Sequence, residues 1–259
     1  MSPAGHVHPA AAIGFQAGAE RYERGRPSYP AEAIAAFVSA LAIEGGTELL
    51  ELGAGTGKFT ALLVTTGAHV TAVEPIAAMR AVLERNVPSA RVLEGTAESI
   101  PVADRSVDAV AVAQAFHWFD AGQALVEIHR VLRTRGRLGL IWNVRDESAA
   151  WSRRLTAIYD RLSGVENPRY KHRAWRPAFQ RSDAFTPLEY RSFPYVHDAT
   201  REAFLDRVLS VSYVASAPPD VRDEVTREVT ELLETEPELA GQDTIAMPYT
   251  TDVYWCERR

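Results

Sequence analysis

Leu49-Leu50-Glu51-Leu52-Gly53-Ala54-Gly55-Thr56-Gly57-Lys58 is the stretch that decides the fold. An apolar run ends in a carboxylate and breaks into a loop in which Gly53, Gly55 and Gly57 alternate with single residues. The run has the length of a strand, and the glycines permit a tight turn and a close backbone approach to a ligand. Strand, loop and helix start together read as the entrance of a nucleotide-type site. A dinucleotide-binding loop spaces its glycines as G-x-G-x-x-G, so the strict alternation here points to a different ligand.

Outward from this loop, strands and helices alternate. Ala31 to Ala42 carries Ile34, Phe37, Val38 and Leu41 at helical spacing behind Pro30. Strands are expected at Glu48–Leu52, His69–Glu74, Arg91–Glu94, Val107–Ala113 and Gly136–Asn143, and helices at Lys58–Thr66, Ile76–Arg85 and Ala121–Leu132. Val107–Ala113 is small and apolar throughout, as suits a strand covered on both faces. This order predicts an α/β fold with a parallel sheet, right-handed crossovers and helices on both faces.

After Asn143 the pattern changes. Trp151, Leu155, Ile158 and Leu162 form one helical stripe, and 164–183 reads as a loop rich in Arg, Pro and aromatics. Two more helices are expected at Arg201–Tyr213 and Pro219–Glu234. Strands at about 187–196 and 244–256, the second interrupted by Pro248, would complete a seven-stranded, mostly parallel, Rossmann-like sheet. The expected organisation is a disordered tail over 1–14, a cofactor-binding core over 15–145 and a C-terminal half over 146–259. That half finishes the sheet and carries a helical substrate cap.

With 259 residues and 46% hydrophobic content the chain can bury a sizeable core. Its formal charge of −6 lacks the basic excess that nucleic acid attracts. Cys256 is the sole cysteine, so neither an intrachain disulfide nor a Cys-based zinc cluster is possible, and a reducing cytoplasm is the expected setting. No apolar run reaches membrane-spanning length, and His and carboxylates do not cluster at metal-ligand spacing.

Several further motifs stand in a fixed order. Glu74 closes the second strand ahead of Pro75, Gly95-Thr96-Ala97-Glu98 follows the third, and Gln114-Ala115-Phe116-His117-Trp118-Phe119 follows the fourth. Together with the glycine loop they resemble the class I S-adenosylmethionine-dependent methyltransferases, and most closely the small-molecule branch that includes trans-aconitate methyltransferase-like proteins. The Tyr22-Glu23-Arg24-Gly25-Arg26-Pro27-Ser28-Tyr29-Pro30 stretch and Met247 to Tyr254 are similar to the same branch.

The resemblance implies S-adenosyl-L-methionine as cofactor, held by Tyr22, Arg26, Glu51, Gly53, Ala54, Gly55, Gly57, Glu74, Pro75, Thr96, Ala97, Glu98, Gln114 and Ala115. In that reading Glu74 accepts from the ribose hydroxyls and Arg26 pairs with a carboxylate. His117 has two open readings, a general base for an alcohol acceptor or a residue that packs in the cofactor pocket.

Arg173 and Trp175 lie in a basic stretch from Arg169 to Arg176, continued by Arg181, which is either a clamp for an anionic acceptor or a solvated loop with Trp175 in the core. Trp118, Trp142 and Tyr213 are further acceptor-pocket candidates. The resulting expectation is O-methylation of a small metabolite, carboxylate-bearing if the arginines face it, with neither nucleic-acid nor membrane partner. C- or N-methylation, or cofactor binding without turnover, are the alternatives.

Overall fold

The structure, a computed structural model, describes Glu23, 25–163, Tyr170 and 173–259. The expected tail at 1–14 and Tyr22 lie outside the described residues, as do Arg169, Lys171 and His172 of the basic stretch.

The strands are β1 (Glu48–Leu52), β2 (His69–Val73), β3 (Arg91–Leu93), β4 (Val107–Ala113), β5 (Leu132–Arg145), β6 (Glu189–Thr200) and β7 (Thr244–Glu257). They form one seven-stranded sheet in the order β3-β2-β1-β4-β5-β7-β6. The first five run parallel, and β7 lies antiparallel between β5 and β6. The α/β, Rossmann-like sheet expected from the sequence is the one observed.

Alternation along β4 explains the layers, because successive side chains point to opposite faces. Ala109 and Ala111 face α1 (Ala31–Ala40) and α2 (Lys58–Val64), packing with Phe37, Phe59 and Leu63. Val110 and Val112 face α4 (Ala121–Val131), where Leu125, Ile128 and Val131 complete the opposite core. Both faces are apolar, so the strand needs an unbroken apolar run. The remaining crossover helix, α3 (Ala77–Asn86), seals the β2 end with Leu83 against Ala54 and Ala72.

The C-terminal half adds a third apolar cluster. It joins α5 (Ala150–Ser163), α7 (Arg201–Leu209), α8 (Ser212–Ala215) and α9 (Pro219–Thr235) to Ala199, Ile245, Met247 and Tyr249 of β6 and β7. These helices lie over one end of the sheet as a cap.

Four local expectations are corrected. The loop expected over 164–183 contains α6 (Arg176–Gln180), started by Pro177 in its first turn. The helix expected over Arg201–Tyr213 divides at Ser210 into α7 and α8. β6 continues beyond Val196 to Thr200, paired throughout with β7. Pro248 does not interrupt β7: it stays in register with Val196, and its carbonyl accepts from Asp146 N at 2.9 Å. Proline removes only a donor, and the acceptor side of the ladder survives.

Gly139 in β5 lets α1 sit directly on the sheet, since a Cβ there would lie 2.5 Å from Leu41 Cδ1 and 2.8 Å from Phe37 Cε2. Gly139→Ala should therefore cost about 1–3 kcal/mol by overpacking. Thermal unfolding should show a Tm lower by about 2–4 °C per kcal/mol.

Candidate functional site

Chain order reverses between β1 and β4: from β1 the chain winds outward to β2 and β3, and from β4 to β5 on the other side. In open α/β sheets the crevice at the carboxyl ends of such a strand pair is where ligands bind. The glycine loop leaves β1 at this point and the Gln114 loop leaves β4 beside it.

Gly53, Gly55 and Gly57 all have positive φ, at +66°, +59° and +90°. Gly57 ends the loop as the residue before α2, and a Cβ on it would meet Leu83 Cδ1 at 2.4 Å. Gly55 differs, because nothing lies within 4 Å of where its Cβ would be. Its open side faces a cavity lined by Arg26, Glu51, Gly53, Ala54, Gln114 and Asn143, among others. A tight backbone turn with free space above it fits a ligand that the main chain must approach closely.

Two buried carboxylates hold this loop. Glu74, at the end of β2, accepts from Gly55 N and Ile76 N, each at 2.9 Å, so one side chain ties the glycine loop to the start of α3. Burial pushes its pKa up, against the two amide bonds and the charge of Arg80. Glu51 accepts from Thr60 Oγ1 at 2.6 Å. Burial pushes the Glu51 carboxyl up to about 8; the Thr60 bond opposes the rise and the charge of Glu74 adds to it.

The opposite wall is built on β4. Gln114 takes a left-handed conformation at φ 58°, and a short turn over Phe116–Trp118 buries Phe116 in the core while placing His117 and Trp118 on a second cavity. Trp142 Nε1 donates to His117 Nδ1 at 3.3 Å. An indole N–H only donates, so Nδ1 is the acceptor and the ring proton sits on Nε2. Burial, with the charge of Arg26 acting in the same direction, pushes the His117 pKa down to about 3. This arrangement argues against the general-base reading: the basic nitrogen is engaged and its affinity for a proton is weak, leaving Nε2–H as a donor.

The second cavity encloses about 210 Å³ and is lined by Trp118, Trp142, Arg145, Tyr159, Arg207 and Tyr213, among others. It shares Arg26, Gln114, Asn143 and Arg207 with the glycine-loop cavity, so the two meet across these side chains. Asn143 pins the approach, donating to Ser28 O at 2.7 Å and accepting from Thr251 Oγ1 at 2.6 Å. Glu23 reaches the glycine loop from the N-terminal side, accepting from Thr56 Oγ1 and lying 3.8 Å from Lys58 Nζ.

Trp118, Trp142 and Tyr213 line the second cavity. Trp175 and Arg173 do not. Trp175 is 3% exposed and stacks on Trp142 at 5.1 Å inside the core, while the Arg173 side chain is exposed. Neither lines the two cavities. Burial of the indole leaves Arg173 exposed, and among the described residues the cations lining the second cavity are Arg26, Arg145 and Arg207.

Neither Arg145 nor Arg207 was identified from the sequence. Arg207 carried a usable signal, since it falls on the same helical stripe as buried Phe204 and Val208, an odd place for a charge.

The other expected cofactor residues sit around the loop rather than on these two cavities. Pro75 follows Glu74, Ala115 packs against Gly53, and Ala97 is buried. Glu98 accepts from Asp120 N at 2.8 Å, and Thr96 Oγ1 is buried without a hydrogen-bond partner. Among the described residues no His, Cys, Asp or Glu group is arranged to hold a metal ion, and no helix is long and apolar enough to cross a membrane.

With this geometry in hand, relatives can be compared. Residues 50–140 match the methyltransferase domain family. An uncharacterized methyltransferase of Mycobacterium tuberculosis is 43% identical over 239 residues, covering 92% of this chain and 93% of that protein. Solved structures share the fold: a methyltransferase-type protein from an antibiotic biosynthesis pathway of Anabaena variabilis aligns at TM-score 0.66 and 20% identity, over 89% of this chain and 98% of that one. A geranyl diphosphate methyltransferase, solved with geranyl diphosphate and sinefungin, aligns at 0.51 and 13% identity, over 88% and 78%.

The fold and the glycine-loop site are those of a class I S-adenosylmethionine-dependent methyltransferase. The chain belongs to the methyltransferase family, and its cofactor is S-adenosyl-L-methionine.

Glu51 offers a test of the buried site. Its folded-state pKa of about 8 lies above the ordinary 4.5, so its contribution to stability is complete below about 4.5 and is lost as pH rises through about 8. Wild type should lose stability to denaturant between pH 5 and pH 8.5, and Glu51→Gln, which mimics the neutral carboxyl, should flatten that slope.

Proposed function

We propose that this methyltransferase methylates an oxygen atom of a small, carboxylate-bearing metabolite. The observation that carries the reading is the second cavity, which meets the glycine-loop cavity across shared side chains and is lined, among the described residues, by Arg26, Arg145 and Arg207 against a single carboxylate, Glu147. That balance favours an anionic acceptor.

The cofactor, when bound, supplies an electrophilic methyl group on a sulfonium. The residues suited to hold it are the loop Gly53-Ala54-Gly55 with Gly57, and Glu51, Glu74, Pro75, Gln114, Ala115 and Arg26 around it. Thr96, Ala97 and Glu98 would flank the base. Open space over Gly55 and the cationic Arg26 suit a ligand with a carboxylate end, and buried Glu51 suits its amino end.

Methyl transfer of this kind is an in-line displacement, so alignment and exclusion of water are the main contributions a protein makes. Gln114, Asn143 and Arg207, shared by both cavities, stand where donor and acceptor would meet. An ionised acceptor needs no base. His117 is therefore assigned the role of a neutral donor, orienting an acceptor oxygen through Nε2–H, with Trp142 holding the tautomer. Glu147 is exposed and engaged by Thr156, which makes it a weak alternative base. The lone, buried Cys256 is consistent with a cytoplasmic setting.

Calorimetry with S-adenosylhomocysteine should show binding to wild type that weakens by about 10- to 100-fold in Glu74→Gln, which cannot accept from both amides. Absence of binding by folded wild type would overturn the site assignment. Once an acceptor is found, the pH profile of kcat should lack an inflection near 6.5 attributable to His117. His117→Gln should retain more activity than His117→Ala, whereas loss of a base would lower both alike.

A further inference from the structure

Among the described residues the Arg207 guanidinium has no carboxylate counter-charge. Its Nε and Nη1 are buried and make no hydrogen bond. The polar groups around it are phenols: Tyr249, Tyr159 and Tyr213 lie close. Leaving a buried guanidinium unpaired is costly, and a fold retains such a group more readily when a ligand completes it.

The surroundings indicate which ligand. Arg207 lines both cavities, but Tyr159 and Tyr213 belong to the second one, where Arg145 also stands. Arg145 Cζ lies 4.9 Å over the Tyr159 ring, its Nη2 donates to Thr156, and its Nε is likewise buried without a partner. Tyr159 thus stands beside both guanidiniums. On the other side, the glycine-loop cavity already carries Arg26 and Lys58 for an anionic end of the cofactor.

We infer that Arg207, seconded by Arg145, is the specificity-determining residue of the acceptor pocket, pairing with a carboxylate of the acceptor and anchoring it beside the glycine loop. Guanidinium suits the task because its planar fork meets a carboxylate with two parallel hydrogen bonds. Tyr213 and Tyr159 add phenol edges around the same place. Gly25 locks the arrangement: a Cβ there would lie 2.5 Å from Arg207 N, so the N-terminal segment packs directly on the α7 backbone that carries the guanidinium.

This assignment rests on the anionic-acceptor reading above, and its test separates the two. Wild type, Arg207→Gln, Arg207→Lys and Arg145→Gln are each saturated with S-adenosylhomocysteine and titrated calorimetrically with benzoate, glutarate and tricarballylate, and with the corresponding amides. Wild type should bind at least one carboxylate about tenfold or more tightly than its amide, equivalent to about 1.4 kcal/mol. Arg207→Gln should abolish that preference, Arg207→Lys should keep part of it, and Arg145→Gln should reduce it. Affinity for S-adenosylhomocysteine should stay within about twofold of wild type in all of them.

If Arg207→Gln does not fold, judged by thermal unfolding, the Arg207→Lys and Arg145→Gln titrations carry the test. Retained preference in both, with weakened S-adenosylhomocysteine binding, would assign the guanidinium to the cofactor and overturn the inference. A wild type that prefers none of the carboxylates overturns it as well. Failure of wild type to bind S-adenosylhomocysteine at all is a separate result and strikes the cofactor-site reading instead.

Discussion

The Glu74 carboxylate is the contact on which the site depends. Its two oxygens take up Gly55 N and Ile76 N, so the glycine loop after β1 and the start of α3 after β2 are fixed by one side chain. The turn has positive φ at three glycines, and Gly53 N and Ala54 N also donate to Val73 O, but only Glu74 ties the loop to the start of α3. Buried amides without acceptors would cost about 1–3 kcal/mol each. A carboxylate resists burial, as its raised pKa shows, and the two charge-assisted bonds keep it there. The same rigidity keeps the space above Gly55 open.

On this frame the C-terminal half does a different job. β7 and β6 extend the sheet beyond β5 in the antiparallel sense, so that the chain segments between them can fold back over the carboxyl ends of β1 and β4. The cap helices bury their own apolar cluster against β6 and β7 rather than against the parallel core. Arg207, Tyr159 and Tyr213 of these helices line the second cavity. The result is a glycine-loop cavity, with Glu51 on its wall, and a second cavity rich in aromatics and guanidiniums, joined at Gln114, Asn143, Arg26 and Arg207.

Much of this was legible in the chain. The glycine alternation, Glu51, Glu74 and the apolar run of β4 state local rules that hold wherever the segment lies, because they concern backbone conformation and two-sided burial. Trp142 and Tyr213 were also recognised, as aromatics near the mouth of the sheet. The basic stretch around Arg173 misled, since charge density along a sequence does not say which way a loop turns. Trp175 decided that: its indole is buried against Trp142 and Phe116, and the neighbouring Arg173 is left exposed. His117 could not be read at all without its partner, because a histidine's role depends on which nitrogen is engaged, and Trp142 is remote in sequence.

By itself, then, the sequence determined the α/β sheet, the position of its crevice and the chemistry of the cofactor loop, all consequences of periodicity and of glycine conformation within a few residues. Tertiary structure decided the second cavity. Arg145 from β5 and Arg207 from α7 reach one cavity only because β6 and β7 return the cap to the site. Charge that meets across such distances in the chain leaves no local pattern, because burial of a cation is decided only once the fold has excluded the water around it.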